Sequence, residues 1–112
     1  MMMSLRTFAL AAAVAFAVAT PALAADIEAG RKKVQEVCAA CHGPDGGTPT
    51  TPEYPKLAGQ YPDYLAKALR DYKTGQRKNP IMAGMAAGLT DKDIENVSEF
   101  FYKQPGNLAS RY

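Results

Sequence analysis

The chain has 112 residues, with 13 Lys and Arg against 11 Asp and Glu, two Cys, one His and no Trp. A formal charge of only +2 argues against an electrostatic nucleic-acid binder, which needs a strongly basic face. Two cysteines exclude a dense disulfide framework, and no apolar stretch is long enough for a comfortable membrane span.

The chain opens with Arg6, then an uncharged apolar run from Phe8 to Ala19, then Thr20-Pro21-Ala22-Leu23-Ala24. A basic start, a short apolar centre and an A-x-A site are the marks of a secretory signal peptide. The expectation is that residues 1–24 are removed on export to the periplasm, rather than kept as an anchor. That leaves residues 25–112 as one domain of 88 residues, small enough to be marginal without a staple. Losing Arg6 lowers the positive charge further, and no stable membrane insertion is expected of the mature chain.

Asp26 to Cys38 reads as the first helix. Ile27, Val34 and Val37 form its apolar face, and Asp26 and Glu28 suit the positive end of its dipole. Gly30 within it is costly for a helix and predicts close approach of another helix. Gly43 to Pro55 is rich in Gly and Pro and reads as a loop. Pro62 to Thr74 reads as the second helix, opened by Pro62 and ended by Gly75. Leu65, Leu69 and Tyr72 form its face, with Tyr64 and Ala68 beside it. Gly75 to Leu89, broken by Pro80, Gly84 and Gly88, reads as another loop. Thr90-Asp91-Lys92-Asp93 resembles a capping box opening the last helix. Ile94, Val97 and Phe101 recur along it, with Phe100 alongside, and Pro105-Gly106 closes it. No segment alternates convincingly as a strand. The expectation is an all-α domain of three main helices whose long loops wrap around something.

Cys38-Ala39-Ala40-Cys41-His42 holds both cysteines and the only histidine. C-x-x-C-H is the attachment signature of c-type haem. Two thiols one helical turn apart suit thioether bonds to the two vinyl groups of one porphyrin. The adjacent imidazole then sits beneath the iron as an axial ligand. The sequence therefore points to one covalently bound haem c, held by Cys38 and Cys41, with His42 as proximal iron ligand. A thiol–disulfide pair would be expected in a βαβ unit, and none is seen. A structural zinc site needs four ligands, and only three soft ones exist. For the distal iron position the mature chain offers Met82 and Met85. His/Met ligation favours ferrous iron and raises the reduction potential. The remaining methionine is left to fill space.

With these motifs the chain resembles a small bacterial class I cytochrome c, similar to one half of the periplasmic di-haem cytochromes and to their mono-haem relatives. Pro55-Lys56-Leu57-Ala58-Gly59 resembles the family's P-x-L-x-G stretch. The resemblance implies that the Pro55 carbonyl accepts a hydrogen bond from His42 and orients it. Gly30 lies eight residues before Cys38, as the family's helix-crossing glycine does. Val97 and Phe100 stand where the last helix supplies its packing pair. Counting eight residues back from Thr90 selects Met82 as distal ligand, with Met85 as the alternative. Pro80 restricts the backbone before Met82, whereas Gly84 leaves that of Met85 more permissive. Pro55, Leu57, Leu65, Leu69, Tyr72 and Ile81 are the expected haem-pocket residues.

The function expected is electron transfer by a His/Met-ligated haem between donor and acceptor proteins, without enzymatic activity. The alternative is an electron-accepting cytochrome subunit of a periplasmic dehydrogenase. A third class, a haem enzyme or gas sensor, requires an open iron site. Lys67, Arg70, Lys73, Arg77 and Lys78 either steer an acidic redox partner or form an ordinary solvated face.

Overall fold

The computed structural model describes residues 9–17 and 24–109. The expected signal peptide therefore lies largely outside the described residues, as does the tail beyond Ala109. Residues 9–17 form neither helix nor strand, and Leu10, Val14 and Phe16 within them are exposed.

Helix α1 spans Ile27–Lys33. Asp26 caps it, its side chain accepting the Ala29 N–H at 3.0 Å. The helix does not end there. It passes through a π-helical turn, Val34–Cys38, into a last α-turn, α2, Ala39–His42. Helix α3 spans Pro62–Thr74, with Pro62 at its start and Gly75, at a φ of 81°, at its end. Helix α4 spans Pro80–Ala87, and α5 spans Asp91–Lys103. No strand occurs among the described residues.

Helix α4 corrects the sequence reading, which placed residues 75–89 in a loop. Pro80 is not a breaker here, because it occupies the first helical position, where a missing N–H costs nothing. Asn79 supplies the cap, its Oδ1 accepting from the N–H groups of Ile81 at 3.0 Å and Met82 at 3.1 Å. Ala and Met then carry the helix as good formers, and Gly84 is tolerated within it. At the head of α5 the expected capping box is complete. Thr90 accepts the Asp93 N–H at 3.1 Å, and Asp93 accepts the Thr90 N–H at 2.9 Å.

Helices α1 and α5 cross at Gly30. A Cβ there would stand 2.2 Å from the Asn96 carbonyl oxygen and 3.1 Å from the Phe100 Cβ. Only a residue without a side chain allows this approach. Val34, Leu65, Val97, Phe100 and Phe101 form the main buried cluster, with Cys38, Ala39, Leu57 and Leu69 packed against it. A second cluster, Ala66, Leu89 and Ile94, also meets Leu69. Leu69 thus links α3 to both halves of the core. Beyond α5 the chain turns back, and the Ala109 N–H donates to the Gly59 carbonyl at 3.2 Å.

Candidate haem site

The π-helical turn is the local event that presents the C-x-x-C-H residues. The Ala39 N–H reaches back to the Val34 carbonyl, five residues away. This inserts extra backbone before α2 and re-aims its side chains relative to α1. Cys38 turns inward against the core cluster, and burial pushes its thiol up to about 11. Cys41 lies one turn on. Both thiols are free.

His42 is 7% exposed. Its Nδ1 lies 2.8 Å from the Pro55 carbonyl oxygen. A carbonyl only accepts, so Nδ1 carries the proton and donates. The Nε2 lone pair is left without a protein partner among the described residues. This is the hydrogen bond that the P-x-L-x-G resemblance implies.

The loop that delivers Pro55 is tied down at several points. The Thr50 N–H donates to the Cys41 carbonyl at 3.0 Å. The Gly46 carbonyl accepts from both Leu57 at 2.8 Å and Ala58 at 3.1 Å. Gly46 itself has a φ of 73°, and a Cβ there would meet the Phe101 ring at 2.6 Å. Tyr54 closes over the same region, its ring centroid 6.3 Å from that of His42. The Cys41 sulfur beside it holds the Tyr54 phenol above its ordinary value. Sequence reasoning gave Tyr54 and Thr50 no role, since neither residue type is diagnostic of a haem site.

Of the expected pocket residues, Leu65 belongs to the buried cluster, and Leu57 and Leu69 pack against it as Cys38 does. Pro55 is placed by its carbonyl. Tyr72 lies outside that cluster, half-buried, with the Arg77 guanidinium 5.0 Å above its ring. Ile81 is 58% exposed in the first turn of α4. Met82 is half-buried, whereas Met85, one turn on, is 45% exposed. Because both lie on α4, the permissive backbone expected at Gly84 does not distinguish them. What does differ is the Asn79 cap, which bonds the Met82 N–H and not that of Met85.

Most of the basic stretch is engaged. Lys67 pairs with Asp71, Arg70 lies 3.9 Å from both Asp91 and Glu95, and Lys73 donates to the Leu89 carbonyl. With Arg77 over Tyr72, only Lys78 of the five lacks a partner among the described residues.

The donor set fits a c-type haem. No group of three or more His, Cys, Asp or Glu side chains among the described residues is placed to hold a bare metal ion. A buried imidazole with Nδ1 satisfied and Nε2 free, beside two free thiols, suits covalent attachment with one axial bond. A cytochrome c family model matches residues 27–103. The chain belongs to the cytochrome c family. Its cofactor is therefore a c-type haem, and its fold is that of class I cytochromes c. It is 45% identical over 95 residues to cytochrome c4 of Stutzerimonas stutzeri, covering 77% of this chain and 44% of that one. It is 40% identical over 84 residues to cytochrome c-554(548) of Halomonas halodenitrificans, covering 72% of this chain and 99% of that one. The crystal structure of reduced recombinant cytochrome c4 from Pseudomonas stutzeri superposes with a TM-score of 0.67 at 44% identity, over 74% of this chain and 47% of that one. The chain thus spans about half the length of the cytochromes c4 it matches. No described helix is long and apolar enough to cross a membrane.

Proposed function

We propose that this cytochrome is a periplasmic carrier of single electrons, without enzymatic activity of its own. The bound haem supplies a reversible ferric/ferrous couple. Cys38 and Cys41 would hold it through thioether bonds, so that it would not be lost by dissociation. His42 offers Nε2 to the iron, and the Pro55 carbonyl fixes the tautomer and orientation that make Nε2 available. Met82 would offer its thioether as the second protein ligand, favouring the reduced state. With His42 and Met82 both engaged, substrate would have no route to the iron. Leu57, Leu65 and Leu69, in or against the cluster that Cys38 packs on, would exclude water on that side. Residues 1–24 direct export and are removed, leaving 25–112.

The observation that carries this reading is the 2.8 Å contact from His42 Nδ1 to the Pro55 carbonyl within C-x-x-C-H. The intact mass of exported protein should equal residues 25–112 plus one haem, and acid–acetone should extract none. Met82→Ala should abolish the far-red sulfur-to-iron charge-transfer band of the ferric protein, lower its potential and admit carbon monoxide to ferrous iron. Met85→Leu should keep the band, at a stability cost under about 1.5 kcal/mol. A band lost in Met85→Leu and kept in Met82→Ala overturns the ligand assignment.

The same chemistry serves the alternative, an electron-accepting subunit of a periplasmic dehydrogenase. Stable co-elution with a larger partner on gel filtration of periplasmic extract favours that reading over a free carrier.

A further inference from the structure

On the side of the molecule formed by α3 and α5 lies an open cleft of about 390 Å³. It plays no part in the haem site. Three carboxylates line it, Asp63 of α3 with Glu95 and Glu99 of α5, against the single guanidinium of Arg70. Ser98 also lines it. That residue is 1% exposed, and its Oγ is the one buried side-chain N or O atom among the described residues with no hydrogen-bond partner. A serine inside a helix ordinarily bonds back to a carbonyl one turn earlier or reaches solvent. This one does neither, so an unused hydroxyl lies buried at the wall of a cleft that carries three carboxylates. Such a set calls for a small cation that donates several hydrogen bonds. An alkylammonium, with three N–H donors and no acceptor, has that character.

One residue of the chain already stands at the cleft wall. Ala25 lines it. The next residue is pinned on both sides: the Asp26 N–H donates to Asn96 Oδ1 at 2.8 Å, and Asp26 Oδ1 accepts the Ala29 N–H. Ala25 is therefore held in place by α5 across 70 residues of sequence. It is also the residue immediately after Ala22-Leu23-Ala24. We propose that this cleft seats the mature N-terminus: once residues 1–24 are removed, the new α-ammonium group of Ala25 is held by Asp63, Glu95, Glu99 and the Ser98 hydroxyl.

Cleavage breaks the Ala24–Ala25 peptide bond with water. A neutral amide N–H becomes an ammonium, and the new carboxylate departs with the leader. Before cleavage the Ala25 nitrogen is an uncharged peptide N–H; afterwards it is a cation in a cleft lined by three carboxylates, so processing itself would complete the site. Other charges bear on it. Lys92 Nζ donates to the Ala24 carbonyl at 3.1 Å, an acceptor that leaves with the leader, and lies 3.9 Å from Glu95. Arg70, 3.9 Å from Asp91 and from Glu95, opposes the ammonium, and the Asp26 carboxylate neighbours it in sequence. The inference rests on the reading that residues 1–24 are a cleaved leader, and goes beyond it by assigning the product a binding site.

The test uses exported holoprotein. Intact mass and N-terminal sequencing report where the chain begins. Trace acetylation across pH, read by mass spectrometry, reports the titration of the α-amino group. An ordinary α-amino group titrates at about 7.7–8.0. Seated in the cleft it should titrate at least about half a unit higher. The double substitution Glu95→Gln, Glu99→Gln should bring it back to the ordinary range, and Ser98→Ala should bring it part of the way. Glu53→Gln, an exposed carboxylate on the far loop, should leave the shift intact. A raised value that survives the double substitution, or an ordinary value in the parent, overturns the proposed site while leaving the leader reading standing. A chain beginning elsewhere than Ala25 overturns both.

Discussion

Gly30→Ala puts a number on the helix crossing that holds the haem motif to the rest of the domain. The added Cβ would lie 2.2 Å from the Asn96 carbonyl oxygen and 2.7 Å from its carbon, about 1 Å inside ordinary contact. Both atoms belong to the α5 backbone, so no rotamer change relieves them. The helices must separate, which costs about 1–3 kcal/mol as overpacking, here toward the upper end. Movement of α5 also strains the bond from the Asp26 N–H to Asn96, worth about 1 kcal/mol. Against this stands the gain from replacing Gly by Ala inside a helix, about 1 kcal/mol. The net expectation is a loss of about 2–3 kcal/mol, or a drop in Tm on the order of 10 °C for a domain this small. Guanidinium unfolding of the haem-bound protein, followed by far-ultraviolet circular dichroism, measures it. Gly84→Ala is the control. No atom lies within 4 Å of a Cβ there, and position 84 stands roughly 200° around α4 from Met82. It should stabilise by about 0.4–1 kcal/mol. A Gly30→Ala protein as stable as the parent would refute the claim that backbone contact sets this crossing.

Thr90→Ala removes the cap that accepts the Asp93 N–H and should cost about 0.5–2 kcal/mol in the same assay. The Asp93 carboxyl is held below its ordinary value, chiefly by the Thr90 N–H, so its folded pKa is the lower one. Its contribution is present above the ordinary carboxylate pKa of about 3.9 and is lost as pH falls through the lowered folded value, and Asp93→Asn should flatten that acid limb of the stability profile. Gly46→Ala must hold a left-handed φ of 73° against the Phe101 ring. It should cost about 2 kcal/mol or more and shift the proton resonance of His42 Nδ1, because the Gly46 carbonyl anchors Leu57 and Ala58 just after Pro55.

Helix ends were legible where a single residue does the work locally. Pro62 and Gly75 bound α3, and Thr90 with Asp93 opens α5, because capping is a short-range exchange of hydrogen bonds. Helix α4 was not legible, for an instructive reason. Proline and glycine read as breakers by residue type, but Pro80 holds a first helical position behind Asn79, a good cap. The π-helical turn at Val34–Cys38 has no sequence mark, since it arises from packing of Val34 and Cys38 on the core rather than from propensity. The haem motif was legible because its spacing is dictated by covalent chemistry. The surroundings were less so: Leu65 sits in the cluster that Leu57, Leu69 and Cys38 pack against, while Ile81 stands exposed in the first turn of α4. Apolar character alone does not say which face of an element a residue occupies. For the basic stretch the sequence left steering and an ordinary solvated face open. Residue type gives the charge, but only the fold shows Lys67 and Arg70 beside carboxylates, Lys73 on the Leu89 carbonyl and Arg77 over the Tyr72 ring.

The orientation of one imidazole explains much of this architecture. As the proposed iron ligand, His42 is useful only if Nε2 is free and aimed, which requires Nδ1 to be satisfied by an acceptor that never donates. A backbone carbonyl meets that condition at any pH, where a carboxylate can protonate and a hydroxyl can rotate. A carbonyl on a loop is a poor anchor unless the loop is rigid. Rigidity here comes from Gly46, whose carbonyl binds two successive N–H groups and whose missing side chain lets Phe101 of α5 press against the turn. Phe101 is itself 2% exposed in the core cluster that receives Cys38. The crossing at Gly30 brings α5 close enough to make that cluster. A change at the α1–α5 crossing is therefore felt at His42 through Phe101, Gly46 and Pro55, and the helix packing and the ligand geometry are one problem solved once.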